Sequence, residues 1–280
     1  MIIYKKEYFY TRFKSQPFLF WSHISSSLII LLLISSCDNI SPHSIESKRT
    51  LVVGTDATLI PMSFIDDQGN ISGFETDIIK ALAQDANLSI QLRNVEWAGL
   101  FGGLLTKKLD AVISSVTILE ERKKKMAFSI PYLKSGLALV VRKNMYEINS
   151  LNDIKMKNLR VGAQLGTTAY FLLDKDPQIQ KKGYQQYGHA VSDLIKGEID
   201  VVIGESTGTL YYKKNEATLF EKIKMAGEII TDEFYGIVLR KEDKGLLKTI
   251  NISLTHLREN GTLQRLHDKW ELGNTSSIPK

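Results

Sequence analysis

The sequence predicts an α/β chain folded as two related lobes with a ligand cleft between them, and three observations carry that prediction. Asp110-Ala-Val-Ile-Ser-Ser115 and Asp200-Val-Val-Ile-Gly-Glu205 are short, β-branched and continuously apolar, as suits strands buried on both faces. Each begins at an apolar–acidic step (Leu109-Asp110, Ile199-Asp200) and ends in polar residues, so that aligning the aspartates places Ser115 on Glu205. Leu51-Val-Val-Gly-Thr-Asp56 likewise resembles Leu159-Arg-Val-Gly-Ala-Gln164, and Tyr235-Gly-Ile-Val-Leu-Arg240 mirrors Gly136–Arg142. The last pair is read as the two crossings between lobes. Ligands of open parallel sheets sit where the strands end, which sets a hydroxyl and an acid on opposite walls of the cleft.

The elements follow in order. Leu51–Thr55 reads as a strand. Phe64–Gly73 reads as a hairpin with Asp-Gln-Gly-Asn at its turn. Phe74–Ala86 carries Ile78, Ile79, Leu82, Ala83 and Ala86 at helical spacing, with Glu75 and Asp77 near its positive end. Strand Ser89–Asn94, helix Ala98–Lys107, strand 110–115, helix 120–127 and the apolar strand Gly136–Val141 come next. A second series begins near Ser150-Leu-Asn-Asp153, with strand Arg160–Ala163, helices Thr168–Leu173 and Ala190–Ile195, and strand 199–203. Asn260-Gly261 splits two terminal helices, Leu246–Glu259 and Thr262–Trp270, as a C-cap followed by a new N-cap. The expected division is 49–134 plus 235–273 for a discontinuous first lobe, 135–234 for the second, and 274–280 as a polar tail.

Of the 280 residues 43% are hydrophobic, enough to bury one large core or two modest ones. The net charge of +5 is concentrated at the front, where Lys5, Lys6, Arg12 and Lys14 stand against Glu7. No basic stripe interleaved with aromatics follows, so the chain is not expected to bind nucleic acid. Residues 1–36 read as an export signal: a basic segment, the apolar run Leu28–Ile34, then Ser35-Ser36-Cys37. That run is far shorter than the roughly 20 residues a membrane span needs. Cys37 is the only cysteine, which excludes an internal disulfide and a Cys-ligated zinc site. Ile34-Ser-Ser-Cys37 resembles a bacterial lipobox, making Cys37 the lipid attachment point, with residues 37–48 as a polar tether. Asp38 resembles an inner-membrane retention signal.

Gly54-Thr-Asp56, Gly73-Phe-Glu-Thr-Asp77, Val95-Glu-Trp97, Asp110–Thr117, Glu121-Arg122, Phe128-Ser129, Ser135-Gly-Leu137 and Leu257-Arg-Glu-Asn-Gly-Thr262 … Lys269-Trp270 together resemble extracellular, periplasmic solute-binding proteins of family 3, the amino-acid ABC-transporter type. The resemblance spans residues 50–271 and implies the type II periplasmic-binding-protein fold, two lobes closing about two hinge crossings. It also implies roles. Arg122 would clamp a ligand α-carboxylate, a planar fork on a planar anion, with Thr117, Thr167 and Thr168 beside it, Thr168 at a helix start. Ser115 and Glu205 would receive the α-ammonium. Asp56, Leu59 and Trp97 would face the ligand side chain from lobe one, and Gln164 from lobe two. No cofactor or metal is implied.

Three positions depart from the family pattern: Leu59 where an aromatic is common, Glu205 where Asp is usual, and Leu119 where a threonine commonly caps the next helix. The ligand class is therefore a free, polar amino acid, with glutamine and cationic side chains both open. Plainer readings of single residues exist: Arg122 beside Lys123-Lys124-Lys125 as a surface charge, Thr117-Ile-Leu-Glu120 as a capping box, Trp97 as ordinary core. Two enzyme readings stand against the binding one. Gly204-Glu-Ser206-Thr-Gly208 fits G-x-S-x-G, with Asp232 or Asp243 and His256 or His267 following in hydrolase order. Cyclohexadienyl dehydratases resemble the same family and would need Glu205 as an acid–base group. The expectation is a non-enzymatic, lipid-anchored protein on the outer side of the cytoplasmic membrane, delivering an amino acid to an ABC permease. A ligand-presenting sensor component is a third reading.

Overall fold

The computed structural model describes residues 49–208 and 221–280; the export segment, Cys37 and the tether lie outside them. Two five-stranded sheets organise the described residues. In the first, Leu51–Thr55 lies between Ile90–Asn94 and Ala111–Val112, both parallel to it, and Val238–Leu239 then Ala127–Phe128 complete the order. In the second, Arg160–Gln164 lies between Gln180–Tyr184 and Val201–Glu205, again parallel, followed by Leu137–Arg142 and Ile223–Ala226. The two sheets share one plan. The strand entering from a crossing is antiparallel and fourth in both, as the sequence pairings imply.

The correspondence extends to side chains. Asp110 accepts from the Val52 amide at 2.9 Å, and Asp200 from the Arg160 amide at 3.0 Å. Arg240 reaches the carbonyl oxygens of Leu104 and Leu109 at 3.1 and 2.5 Å and Asp110 Oδ1 at 3.4 Å. Arg142 does the same to Leu194, Ile199 and Asp200, at 2.9, 2.6 and 3.3 Å. Even the close approaches match: a Cβ on Gly54 would meet Leu109 Cδ1 at 2.5 Å, and one on Gly162 would meet Ile199 Cδ1 at 2.5 Å.

Each sheet is covered on both faces, which is why its inner strands are largely apolar. Val53, Ala111 and Ile113 pack with Phe74, Ile78 and Leu82 of helix Phe74–Asp85, while Val112 and Val238 pack with Leu100 and Leu104 of helix Trp97–Leu105. In the second sheet Val201 and Ile203 face Leu173 of helix Thr168–Asp174, and Val202 faces Leu194 of helix Tyr187–Lys196. Gly197 ends that last helix in the left-handed conformation, φ 84°, where glycine avoids a Cβ clash.

Several elements differ from the sequence reading. The crossings are an antiparallel pair, Leu133–Ser135 with Glu233–Tyr235, immediately upstream of the strands expected to cross; Leu137–Arg142 and Val238–Leu239 lie inside the sheets. Their apolarity marks burial in a sheet, not passage between lobes. Ile118 N donates to Phe234 O, and Gly236 N to Val116 O, so the segment before Arg122 also pairs with the crossing. The helix expected over 120–127 is the single turn Glu120–Lys123, followed by strand Ala127–Phe128. Strand Gln180–Tyr184 was not anticipated, since four of its five residues are exposed and polar or glycine. The polar tail docks: Ser277 exchanges two backbone hydrogen bonds with Lys134, and Ile278 packs on the first core.

Candidate functional site

Asp56 follows strand Leu51–Thr55 and turns its carboxylate to the start of helix Trp97–Leu105. Its Oδ2 accepts from Trp97 N at 2.9 Å and its Oδ1 from Thr58 Oγ1 at 2.8 Å. The N-cap residue Glu96 makes no capping bond of its own, so Asp56 supplies one from another strand. Burial pushes the Asp56 carboxyl up despite these bonds. Ser114 Oγ accepts from the Asp56 amide at 3.0 Å. Ser115 sits in the left-handed region, φ 47°. Its amide and hydroxyl both donate to Glu75 Oε1, at 2.5 and 3.1 Å, and Tyr132 donates its hydroxyl to the same oxygen. Glu75 is buried in the first turn of its helix, and burial raises its carboxyl.

Arg122 projects from the short turn Glu120–Lys123, whose N-cap Leu119 provides no side-chain bond. Its guanidinium lies 5.5 Å from the Trp97 ring centroid and 5.6 Å from that of Phe101, with Nη1 donating to Thr117 O at 3.0 Å. Burial lowers its pKa, while Glu233 and then Glu205 act in the opposite direction. Arg122 is thus no surface charge. Thr117 is not a capping residue either: its hydroxyl donates to Glu233 Oε2 at 2.6 Å.

The second sheet supplies the facing wall. Gln164 ends strand Arg160–Gln164 and donates its amide to Gln185 O at 2.9 Å. Thr167 is the N-cap of helix Thr168–Asp174, donating to Gln164 O at 2.7 Å and accepting from Tyr170 N at 3.4 Å. Thr168 Oγ1 donates to Glu233 Oε2 at 3.0 Å. Glu205 ends its strand and accepts from the Tyr235 hydroxyl. Burial first, then the Glu233 charge, raise the Glu205 carboxyl well above its ordinary value, and burial with Glu205 raises the Tyr235 phenol.

These walls enclose a cavity of about 40 Å³. Asp56, Leu59, Trp97, Ser115, Thr117, Arg122, Gln164, Thr167, Thr168 and Glu205 all line it, so the structure brings every candidate ligand-binding residue to one place. The walls also touch: Arg122 Nη2 donates to Gly166 O at 3.1 Å. Thr58, Ser114 and Tyr187 line the cavity too and were not singled out. Thr58 and Ser114 sit next to the two strand ends that were read, and Tyr187 starts a helix directly after strand Gln180–Tyr184, which was missed. The supporting acids Glu75 and Glu233 had no local signal beyond the Gly73-Phe-Glu motif for the first.

The hydrolase constellation does not assemble. Ser206 is buried and bonded to Ser135 and to Thr275 O. His256 meets Asp85, His267 meets Ser276, Asp232 pairs with Lys134, and Asp243 with Arg240. Among the described residues no group of three or more His, Cys, Asp or Glu is arranged to hold a metal ion.

Two duplicated sheets meeting over a small cavity lined by an arginine, acids and hydroxyls define a two-lobed binding protein of the periplasmic type. The sequence profile of the bacterial extracellular solute-binding proteins, family 3, matches residues 51–274, and the chain belongs to that family. It is 34% identical to the L-cystine-binding protein TcyJ of Escherichia coli (strain K12) over 231 residues, 81% of this chain and 85% of that one. An ancestral arginine-binding protein solved bound to glutamine superposes with a TM-score of 0.75 at 35% identity, covering 80% of this chain and 98% of the other. The ancestral amino acid-binding protein AncCDT-1, a precursor of cyclohexadienyl dehydratase, gives 0.72 at 33%, covering 79% and 95%.

Proposed function

We infer that this chain captures a free amino acid between its lobes and delivers it to the permease of an ABC transporter. The carrying observation is the set of charged and hydroxyl side chains that line the cavity. One half-buried guanidinium, Arg122, stands with hydroxyls from both walls, while Ser115 and the acids Glu205 and Asp56 line the same small space. A zwitterion suits that arrangement. Its carboxylate would meet Arg122, Thr117 and Thr168 through charge-assisted bonds, and its ammonium would meet Ser115 and Glu205. Leu59, Trp97, Asp56 and Gln164 would face the side chain, with Thr167 holding the lobe-two loop. A polar side chain fits these neighbours; glutamine and cationic side chains are the first to test, and the cystine- and arginine-binding relatives support the class. A micromolar affinity requires about −8 kcal/mol.

The lobes would be 49–134 with 235–273, and 135–234, closing about the crossing pair as hinged binding proteins do. Residues 1–36 would be removed on export and Cys37 lipidated, leaving the protein tethered on the outer face of the cytoplasmic membrane, where two or three acyl chains hold firmly. Replacing Cys37 by Ser should release the protein from membranes.

The test is a thermal-shift panel of the twenty amino acids, L-cystine and prephenate on the exported chain Asp38–Lys280. Ligand at a hundred times Kd adds about 2.7 kcal/mol, roughly 5–10 °C for a protein of this size. A shift with one or two amino acids, lost in Arg122→Ala, supports the reading. Loss of prephenate, with no amino-acid shift, would instead favour a dehydratase using Glu205, the reading that the AncCDT-1 likeness and the raised Glu205 carboxyl support.

A further inference from the structure

Glu233 lies on the crossing strand, 5% exposed, where both lobes meet. Its Oε2 accepts from Thr117 Oγ1 at 2.6 Å and from Thr168 Oγ1 at 3.0 Å, and its Oε1 from Thr231 Oγ1 at 3.3 Å. Thr117 follows the third strand of the first sheet, and Thr168 opens a helix packed on the second. These are the two hydroxyls that the proposed function gives to the ligand carboxylate. A hydroxyl has one proton to donate, and each has already given it to Glu233. Glu233 is also the carboxylate acting most strongly on Arg122. A second carboxylate arriving there would meet the charge of the first and find both hydroxyl protons already taken.

We propose that Glu233 is a built-in stand-in for the ligand carboxylate: it latches the lobes together through Thr117 and Thr168, and an arriving amino acid must displace it. The proposal rests on the amino-acid reading for what displaces Glu233, but not for the latch itself. A carboxylate on the crossing strand that bonds Thr117 and Thr168 together would favour the closed arrangement. Only the fraction with the latch released accepts ligand, and apparent affinity falls by that fraction. A ligand with a weak or missing carboxylate cannot exchange for Glu233, which makes the latch a selectivity device as well.

The experiment compares the wild-type chain, Glu233→Ala and Glu233→Gln by small-angle scattering without ligand and by calorimetric titration with L-arginine, L-glutamine and L-cystine. Glu233→Ala should enlarge the ligand-free radius of gyration and tighten binding of the responding amino acid at least threefold. Glu233→Gln keeps the volume and a weaker acceptor, so its response should lie between. It decides the matter if the alanine variant fails to fold. An unchanged radius in a folded variant overturns the latch, and so does weaker binding, which would mean that Glu233 contacts the ligand directly. If the wild type binds none of the three, the scattering comparison still decides the latch, and only the choice of ligand fails.

Discussion

Arg122 crosses the cleft to Gly166, its Nη2 donating to the glycine carbonyl at 3.1 Å while Nη1 holds Thr117 O on its own side. The guanidinium is thereby fixed against the face of Trp97. Arg122→Ala should weaken amino-acid binding about tenfold or more by calorimetry. Arg122→Lys should fall nearly as far, because an ammonium cannot reproduce the planar two-armed contact. Unchanged affinity in the alanine variant would falsify the clamp.

Gly166 itself has φ 74°, and a Cβ there would stand 3.2 Å from Trp97 Nε1. A side chain in the left-handed region costs about 1–2 kcal/mol, and the tryptophan must also give way when the lobes meet. Gly166→Ala is expected to lower the melting temperature by a few degrees and to weaken binding severalfold. A variant with wild-type affinity would show that the walls do not approach this closely when ligand binds.

Glu205 titrates against the usual trend for a carboxylate. Its folded-state pKa lies well above 4.5 because burial and Glu233 disfavour the charge. Stability from the neutral form is therefore full below the unfolded value and is lost as pH rises through the folded one. Glu205→Gln should flatten that alkaline-side decline in a melting profile. An ammonium at Glu205 favours ionisation, so binding should release a proton wherever the free protein holds Glu205 protonated, detected by scanning pH for a buffer-dependent binding enthalpy that the glutamine variant abolishes.

Asp200 follows the ordinary trend. Hydrogen bonds from Arg160, with Arg142 adding another, hold it at about 2 against 3.8. The stabilisation is present above the unfolded value of 3.8 and is lost as pH falls through about 2. With the exposed Arg160 partner screened by water, about 1 kcal/mol is expected. Asp200→Asn should lower stability by that amount at pH 7 and by much less at pH 2, checked by denaturant titration at both.

The duplicated plan was legible because burial on both faces writes an unmistakable apolar strand, and Leu109-Asp110 and Ile199-Asp200 repeat its entry. Ser115, Glu205 and Gln164 were legible as the polar ends of those strands. Glu233 was not: its place depends on Glu233–Tyr235 pairing with Leu133–Ser135 and lying beside Val116–Ile118, contacts a hundred residues apart. Asp56 was read as facing a ligand, and it does line the cavity, but half its bonding goes to capping helix Trp97–Leu105. That duty appears only when a strand end and a distant helix start come together.

The matched pairs Asp110–Arg240 and Asp200–Arg142 set an order of assembly. Asp200 meets an arginine made 58 residues earlier, so the inner sheet holds both partners as soon as that strand exists. Asp110 waits for Arg240, 130 residues further along the chain. Closing the longer span costs more chain entropy, and nothing can close it until the inner lobe has already been made. Synthesised amino end first, the chain cannot finish its first sheet until Val238–Leu239 exist, by which point every strand of the second sheet has already been made.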